Sequence, residues 1–265
     1  MTTGALLYAF DGDICYTAFA IECAKRIKKY LDIPVSLVTD SMPHSNVFDQ
    51  VILLDKQFSK NRRWWADIED TTSWLNHSRS RAQELSPYDR TLLLDVDYVV
   101  QSDLLGSLLE SSQEFFAHKS ARSIQLPDTR YQTFGTKNTD MWWATVVVFD
   151  RSKFSRDVFE IWQMVESNYR YYADFFGFNA KQFRNDYALS IALLVANGGV
   201  VPACCEIPWP LMNVDPEIAI EKCQDHIKTF YSTTDRTQKK YHRLELSNQD
   251  LHIMGKSYLE QVYAL

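Results

Sequence analysis

Thr91 to Gln101 reads T-L-L-L-D-V-D-Y-V-V-Q, an apolar run that ends on two carboxylates one residue apart, Asp95 and Asp97, with Val96 between them. A run of this kind belongs inside a sheet covered on both faces. There an unpaired ionised carboxylate would cost far more than the roughly 2–7 kcal/mol of an unpaired neutral polar group. The two acids therefore have to lie at the strand's end, facing something that neutralises them. A hard divalent cation is the simplest such partner, and Mg²⁺ or Mn²⁺ held by carboxylates in turn bridges phosphate oxygens.

The rest of the first hundred residues supplies the sheet. Ala5 to Phe10, Val35 to Thr39, Val51 to Leu54 and Leu92 to Val100 are predicted strands, each a near-continuous apolar run. Ile14 to Leu31 carries Ile14, Ala18, Ile21, Ala24, Ile27 and Leu31 at helical spacing, with Lys and Arg toward its C-terminal end. Asn76 to Leu85 reads as a second helix, stopped before Pro87. Strands alternating with helices predict an α/β fold with a mostly parallel central sheet flanked by helices. Ligands of such sheets sit at the C-terminal strand ends, where Asp11, Asp40, Asp55 and Asp95 all fall.

The second half is less regular. Thr145 to Phe149 is a predicted strand, and Phe154 to Ser167 and Asp186 to Ala196 are predicted helices. The second of these is stopped by Asn197-Gly198-Gly199, and Val200 to Pro202 opens a further extended segment. Gln57 to Ser73, rich in Lys, Arg, Trp and Asp, reads as a long excursion. No linker or repeat divides the 265 residues, and one domain is expected, residues 1–100 forming a nucleotide-binding half and 101–265 an acceptor-side half.

At 46% apolar residues a packed core is expected, and a net charge of −6 offers no general attraction for nucleic acid. Five cysteines without a C-x-x-C pair (Cys15, Cys23, Cys204, Cys205, Cys223) suit reduced thiols. With no apolar run long enough to span a bilayer and no leader-like N-terminus, the expectation is a cytoplasmic protein.

The stretch from Arg79 to Val100 resembles the core of glycosyltransferase family 8, the glycogenin-like and bacterial galactosyltransferase-like enzymes. Leu85, Tyr88, Arg90, Asp95, Asp97 and Val100 fall in register with a basic residue, Leu-x-x-Tyr-x-(Lys/Arg), an apolar strand and Asp-x-Asp-x-x-Val. L-H-I-M-G-K-S-Y, Leu251 to Tyr258, matches the family's C-terminal His-x-x-Gly at His252 and Gly255. Lys256 comes two residues early and the Pro-Trp is missing. Ala9 to Ala20 is similar to the family's first strand and helix start.

The resemblance implies a GT-A glycosyltransferase, a transferase that moves sugar from a nucleotide sugar, a UDP-sugar by preference, with retention of configuration. It implies Asp95, Asp97 and His252 as ligands of Mn²⁺ (or Mg²⁺). Ala9, Phe10, Asp11 and Tyr16 would face the nucleoside, and Val96 and Gly255 would lie against the donor. Arg79, with Arg81 as its alternate, would sit over the donor's sugar or phosphates, and Lys256 would neutralise the departing diphosphate. Asp186 would reach the reacting carbon, although Tyr187 replaces the family's Gln and Asn185-Asp186 also reads as a helix cap. Trp143-Ala144-Thr145 stands where the family carries Asn-(Ser/Ala)-Gly, which leaves the sugar open.

The acceptor is open too: glycan, lipid-linked sugar, protein or modified DNA. Lys60 to Trp65, basic and aromatic, keeps a phage-type transferase acting on hydroxymethylated bases in view, unless Arg62 and Arg63 pair with Asp67 and Glu69. A nucleotidyltransferase and a non-catalytic nucleotide-sugar binding protein are the rivals from other classes.

Overall fold

The structure is a computed structural model that describes residues 1–55, 62–65, 70–73, 78–124, 132–216, 218–223, 226–234 and 239–264. Its centre is a six-stranded sheet in the order Gln50–Leu53, Val35–Thr39, Thr3–Ala9, Arg90–Leu94, Trp143–Asp150, Phe115–His118. The first four strands run parallel, and Trp143–Asp150 is antiparallel to both its neighbours. The α/β class and the mostly parallel sheet read from the sequence are both present. Leu92, Leu93, Leu94 and Val146 to Phe149 are fully buried, which is why these strands read as unbroken apolar runs.

Helix Tyr16–Leu31 packs on Thr3–Ala9 and Val35–Thr39 through a face that includes Ala20, Cys23, Ala24 and Ile27. Lys28 and Lys29 lie in its last turn, where they complement the helix dipole. Helices Lys153–Ser167 and Asn185–Ala196 pack on each other, the latter also against Trp143–Asp150. Gly4 has to be glycine: a Cβ there would come within 2.4 Å of the Tyr88 ring, whose hydroxyl meets the Ser36 hydroxyl at 2.8 Å. The tyrosine of the Leu-x-x-Tyr pattern is thus a strut across the parallel strands.

A second, four-stranded sheet, Tyr98–Val99, Leu251–Ile253, Leu211–Val214, Ala121–Ser123, lies beyond the end of the Arg90–Leu94 strand. The expected single strand Leu92 to Val100 is therefore two. It stops at Leu94, turns at Asp95 to Asp97 with the Tyr98 N–H donating to the Asp95 carbonyl (3.0 Å), and resumes in the other sheet. The apolar run resumes directly after the turn because Tyr98, Val99 and Val100 are as buried as Leu92 to Leu94, so the pattern hides the break.

Other expectations are corrected in the same way. The helix expected from Asn76 shrinks to a 3₁₀ turn, Arg79–Arg81, and one α turn, Ala82–Leu85; positions 76 and 77 lie outside the described residues. Val200 to Pro202 leads into a 3₁₀ turn, Ala203–Cys205, not a strand. Helix Tyr169–Phe176 and the antiparallel strands Ala219–Cys223, His226–Thr234 and Lys239–Leu246 were not expected. In the excursion from Gln57, Arg62–Trp65 pairs antiparallel with Asp70–Ser73, and its side chains lie outside the described residues.

Candidate metal centre

The order of the large sheet reverses between Thr3–Ala9 and Arg90–Leu94: the chain adds strands outward on one side of the first, then returns to its other side. The crevice beyond the C-terminal ends at such a switch point is where open α/β sheets bind ligands. Asp11 and Asp95 follow those two ends. Asp95 still belongs to the large sheet, its N–H donating to the Thr145 carbonyl at 2.9 Å. Asp97 belongs to the small one, its carbonyl accepting from the Ile253 N–H at 2.9 Å. Between them the Val96 side chain is buried and its carbonyl accepts from the Tyr263 hydroxyl at 3.0 Å.

The small sheet brings in the distant partner. Leu251–Ile253 pairs with Tyr98–Val99, His252 opposite Tyr98, and His252 reaches the acids across that ladder. One ligand-type atom each from Asp95, Asp97 and His252 lies within 4.8 Å of the others, and His252 Nε2 is 3.4 Å from Asp97 Oδ1. Asp250 anchors this strand. Its carboxylate accepts from the Gln101 N–H (2.7 Å), the Ser102 N–H (2.9 Å) and the Ser102 hydroxyl (3.0 Å). Gly255 caps helix Lys256–Tyr263, whose first residue, Lys256, is buried with its ammonium on Asp97 Oδ2.

The two acids sit in different fields. Burial works against ionisation of Asp97, but Lys256 and His252 overcome it and hold the carboxyl well below its usual range. For Asp95 burial prevails: Arg79 opposes it, Asp97 adds repulsion, and the pKa is raised. Arg79 is itself buried, one terminal nitrogen on Asp95 Oδ1 and the other on the Ala144 carbonyl at 2.6 Å. Its neighbour Arg81 points outward to Glu84 at 2.8 Å, the solvated role that one of the pair was open to.

Asp186 does not cap its helix. The N-cap is Arg184, and Asp186 Oδ1 accepts from the Ala144 N–H at 3.0 Å while Oδ2 pairs with Arg184 at 3.3 Å. The Ala144 peptide is thus held at both ends, by Asp186 and Arg79. The ladder to Phe115–His118 is irregular between Trp143 and Val147, and such bulges re-aim backbone beside active sites. Asp11 Oδ1 accepts from the Thr17 N–H at 2.8 Å, standing in for a cap that Cys15 does not supply. Ala9 and Phe10 are buried behind it, and the Tyr16 ring lies 5.8 Å from the Lys256 ammonium.

Asp95, Asp97, His252, Lys256, Arg79 and Asp186 therefore converge, with Tyr16 at the margin. Asn213, Asp250 and His118 were missed. Asn213 Oδ1 meets His252 Nδ1 at 2.7 Å. His118, fully buried with Nδ1 3.0 Å from the Trp209 carbonyl, has its pKa lowered to about 4, chiefly by burial. No sequence signal marks these three, since each meets a partner far away in the chain.

No protein-family model matches the chain, and no curated protein matches it. Among solved structures it is similar to the galactosyltransferase LgtC in complex with donor and acceptor sugar analogs (TM-score 0.47, 15% identity, 72% of this chain, 70% of that one). It is also similar to the glycosyltransferase GlyE of Streptococcus pneumoniae (0.43, 13%, 72% and 43%). A third is CMP:2-keto-3-deoxy-manno-octonic acid synthetase complexed with CTP (0.39, 10%, 74% and 87%). Likeness at this level says nothing of chemistry, which has to come from the residues of the site.

Proposed function

We propose that this chain is a metal-dependent glycosyltransferase of GT-A type that takes a nucleotide sugar, a UDP-sugar by preference, as donor. The observation that carries the reading is the convergence of Asp95, Asp97 and His252, from two separate parts of the chain, beside the buried cation Lys256. An imidazole beside two carboxylates suits Mn²⁺ better than Ca²⁺, which takes oxygen ligands. Bound there, the ion would supply Lewis-acid stabilisation of charge on a leaving diphosphate.

The chain's own residues do the rest. Lys256 holds Asp97 ionised and places a positive charge where the diphosphate would leave. Arg79 fixes the direction of the Asp95 carboxylate. Asp186, kept in place by Ala144 and Arg184, is the carboxylate positioned for the reacting carbon, and retention of configuration is proposed on the family resemblance. Tyr16 and the Asp11 turn, at the end of the first strand, form the nucleoside side. A DNA acceptor rests on Lys60 to Trp65, whose side chains lie outside the described residues, and no observation favours it.

A panel of nucleotide sugars screened by thermal shift and by donor hydrolysis, each with and without Mn²⁺, tests this. Stabilisation should rise with ligand concentration as RT ln(1 + [L]/Kd) and require the metal. Metal-independent binding, or stabilisation by CTP with no UDP-sugar turned over, contradicts it.

A further inference from the structure

His252 can hold a cation through Nε2 only if that nitrogen carries a lone pair, which requires the ring proton to sit on Nδ1. Asn213 lies opposite His252 in the parallel pairing of Leu211–Val214 with Leu251–Ile253. Its side-chain oxygen is 2.7 Å from His252 Nδ1. An amide oxygen can only accept, so Nδ1 donates, and in the neutral imidazole Nε2 then carries the lone pair, 3.4 Å from Asp97 Oδ1. Two lone-pair atoms facing each other at that distance make a seat for a cation.

The other end of the amide sharpens the point. Asn213 is buried, and its Nδ2 has no hydrogen-bond partner among the described residues. Leaving a buried N–H unpaired costs about 1–3 kcal/mol. A leucine of the same shape would fill the space without that loss, so packing does not account for the residue. Its bond to the imidazole does.

We propose that Asn213 is a positioning residue that sets the His252 tautomer and so tunes the affinity of the Asp95–Asp97–His252 centre for a divalent cation. The proposal rests on the metal reading above, and its test separates the two. Mn²⁺ is titrated calorimetrically into the full chain as wild type, Asn213→Leu, Asn213→Ala and Asn213→Asp, with melting temperatures recorded in chelator.

Wild type should bind one Mn²⁺. The leucine and alanine variants should lose about 10- to 100-fold in affinity, the usual effect of removing the partner of a metal-bound histidine, while still melting cooperatively. Asn213→Asp, which keeps an acceptor at the same place, should stay within about threefold of wild type. Equal affinity in wild type and either apolar variant overturns the proposal. Absence of Mn²⁺ binding in wild type overturns the metal reading instead. Should neither apolar variant fold, ¹⁵N NMR of the neutral wild-type His252 ring in chelator decides: a proton on Nδ1 supports the proposal, and a proton on Nε2 overturns it.

Discussion

The two sheets meet at one turn, and they differ in what they give the site. The six-stranded sheet is built from local alternation of strand and helix, and it delivers Asp95 on the end of a fully buried strand. The four-stranded sheet is assembled from short pieces of residues 98, 121, 211 and 251 onward, and it delivers Asp97, His252 and their supports. Burial raises the Asp95 pKa against the opposing charges of Arg79 and, more weakly, His252. Asp97 faces Lys256 and His252, and its pKa is lowered. A D-x-D motif can thus be two unlike carboxylates, one braced by each sheet.

Replacing these acids should have the largest effects. Asp95→Ala and Asp97→Ala should each reduce metal-dependent turnover by about 10²–10³, as loss of a charge-stabilising group does. Turnover within tenfold of wild type in excess Mn²⁺ would remove the metal from the mechanism. The stabilities should diverge. Asp97→Ala leaves buried Lys256 without that carboxylate, and breaking a buried pair costs about 3–5 kcal/mol. Asp95→Ala leaves Arg79 still bonded to the Ala144 carbonyl and should cost less. Equal losses in denaturant melts would erase the contrast between the sheets.

The next effect in size is acid sensitivity at the seam. His118 ends a strand of the large sheet, is buried neutral, and titrates at about 4 when folded against 6.5 when free. The unfolded chain takes up the proton first, so His118 contributes its full stability above pH 6.5 and loses it as pH falls through 4. The total is on the order of 3 kcal/mol. His118→Gln should flatten that part of the pH–stability curve; an unchanged acid limb would place the sensitivity elsewhere.

Asp250→Ala removes the acceptor of two backbone N–H groups that tie the small sheet together, at about 1–3 kcal/mol. Because His252 lies two residues on, Mn²⁺ affinity should fall with it, whereas the Asp95 side of the turn should keep its Arg79 contact. Smallest of all, Arg81→Ala breaks an exposed pair with Glu84 and should change stability by less than about 1 kcal/mol and turnover hardly at all. A large loss of turnover would mean that the outward-facing arginine, not Arg79, serves the donor.

The same contrast explains how much could be read beforehand. Thr3–Ala9, Tyr16–Leu31, Val35–Thr39 and Trp143–Asp150 were legible because fully buried strands and amphipathic helices write their patterns into adjacent residues. Asp95, Asp97, His252 and Lys256 were legible through motif spacing, and the structure brings them together. The turn inside Leu92 to Val100 was not, since the apolar run resumes directly after Asp97 in Tyr98, Val99 and Val100. Helix Tyr169–Phe176 is amphipathic, with Ala173 and Phe176 on its buried side, but its eight residues are too few for the helical period to stand out. Asn213 acts across a ladder, His118 and Asp250 on loop residues, all far apart in the chain, and no local pattern encodes such contacts.

The most direct test is anomalous diffraction from crystals soaked with Mn²⁺ and UDP. The account predicts one manganese peak among Asp95, Asp97 and His252 Nε2, with the diphosphate on its open side next to Lys256. Electron density for UDP with no manganese among those three residues, or with His252 turned away from the two acids, would contradict it.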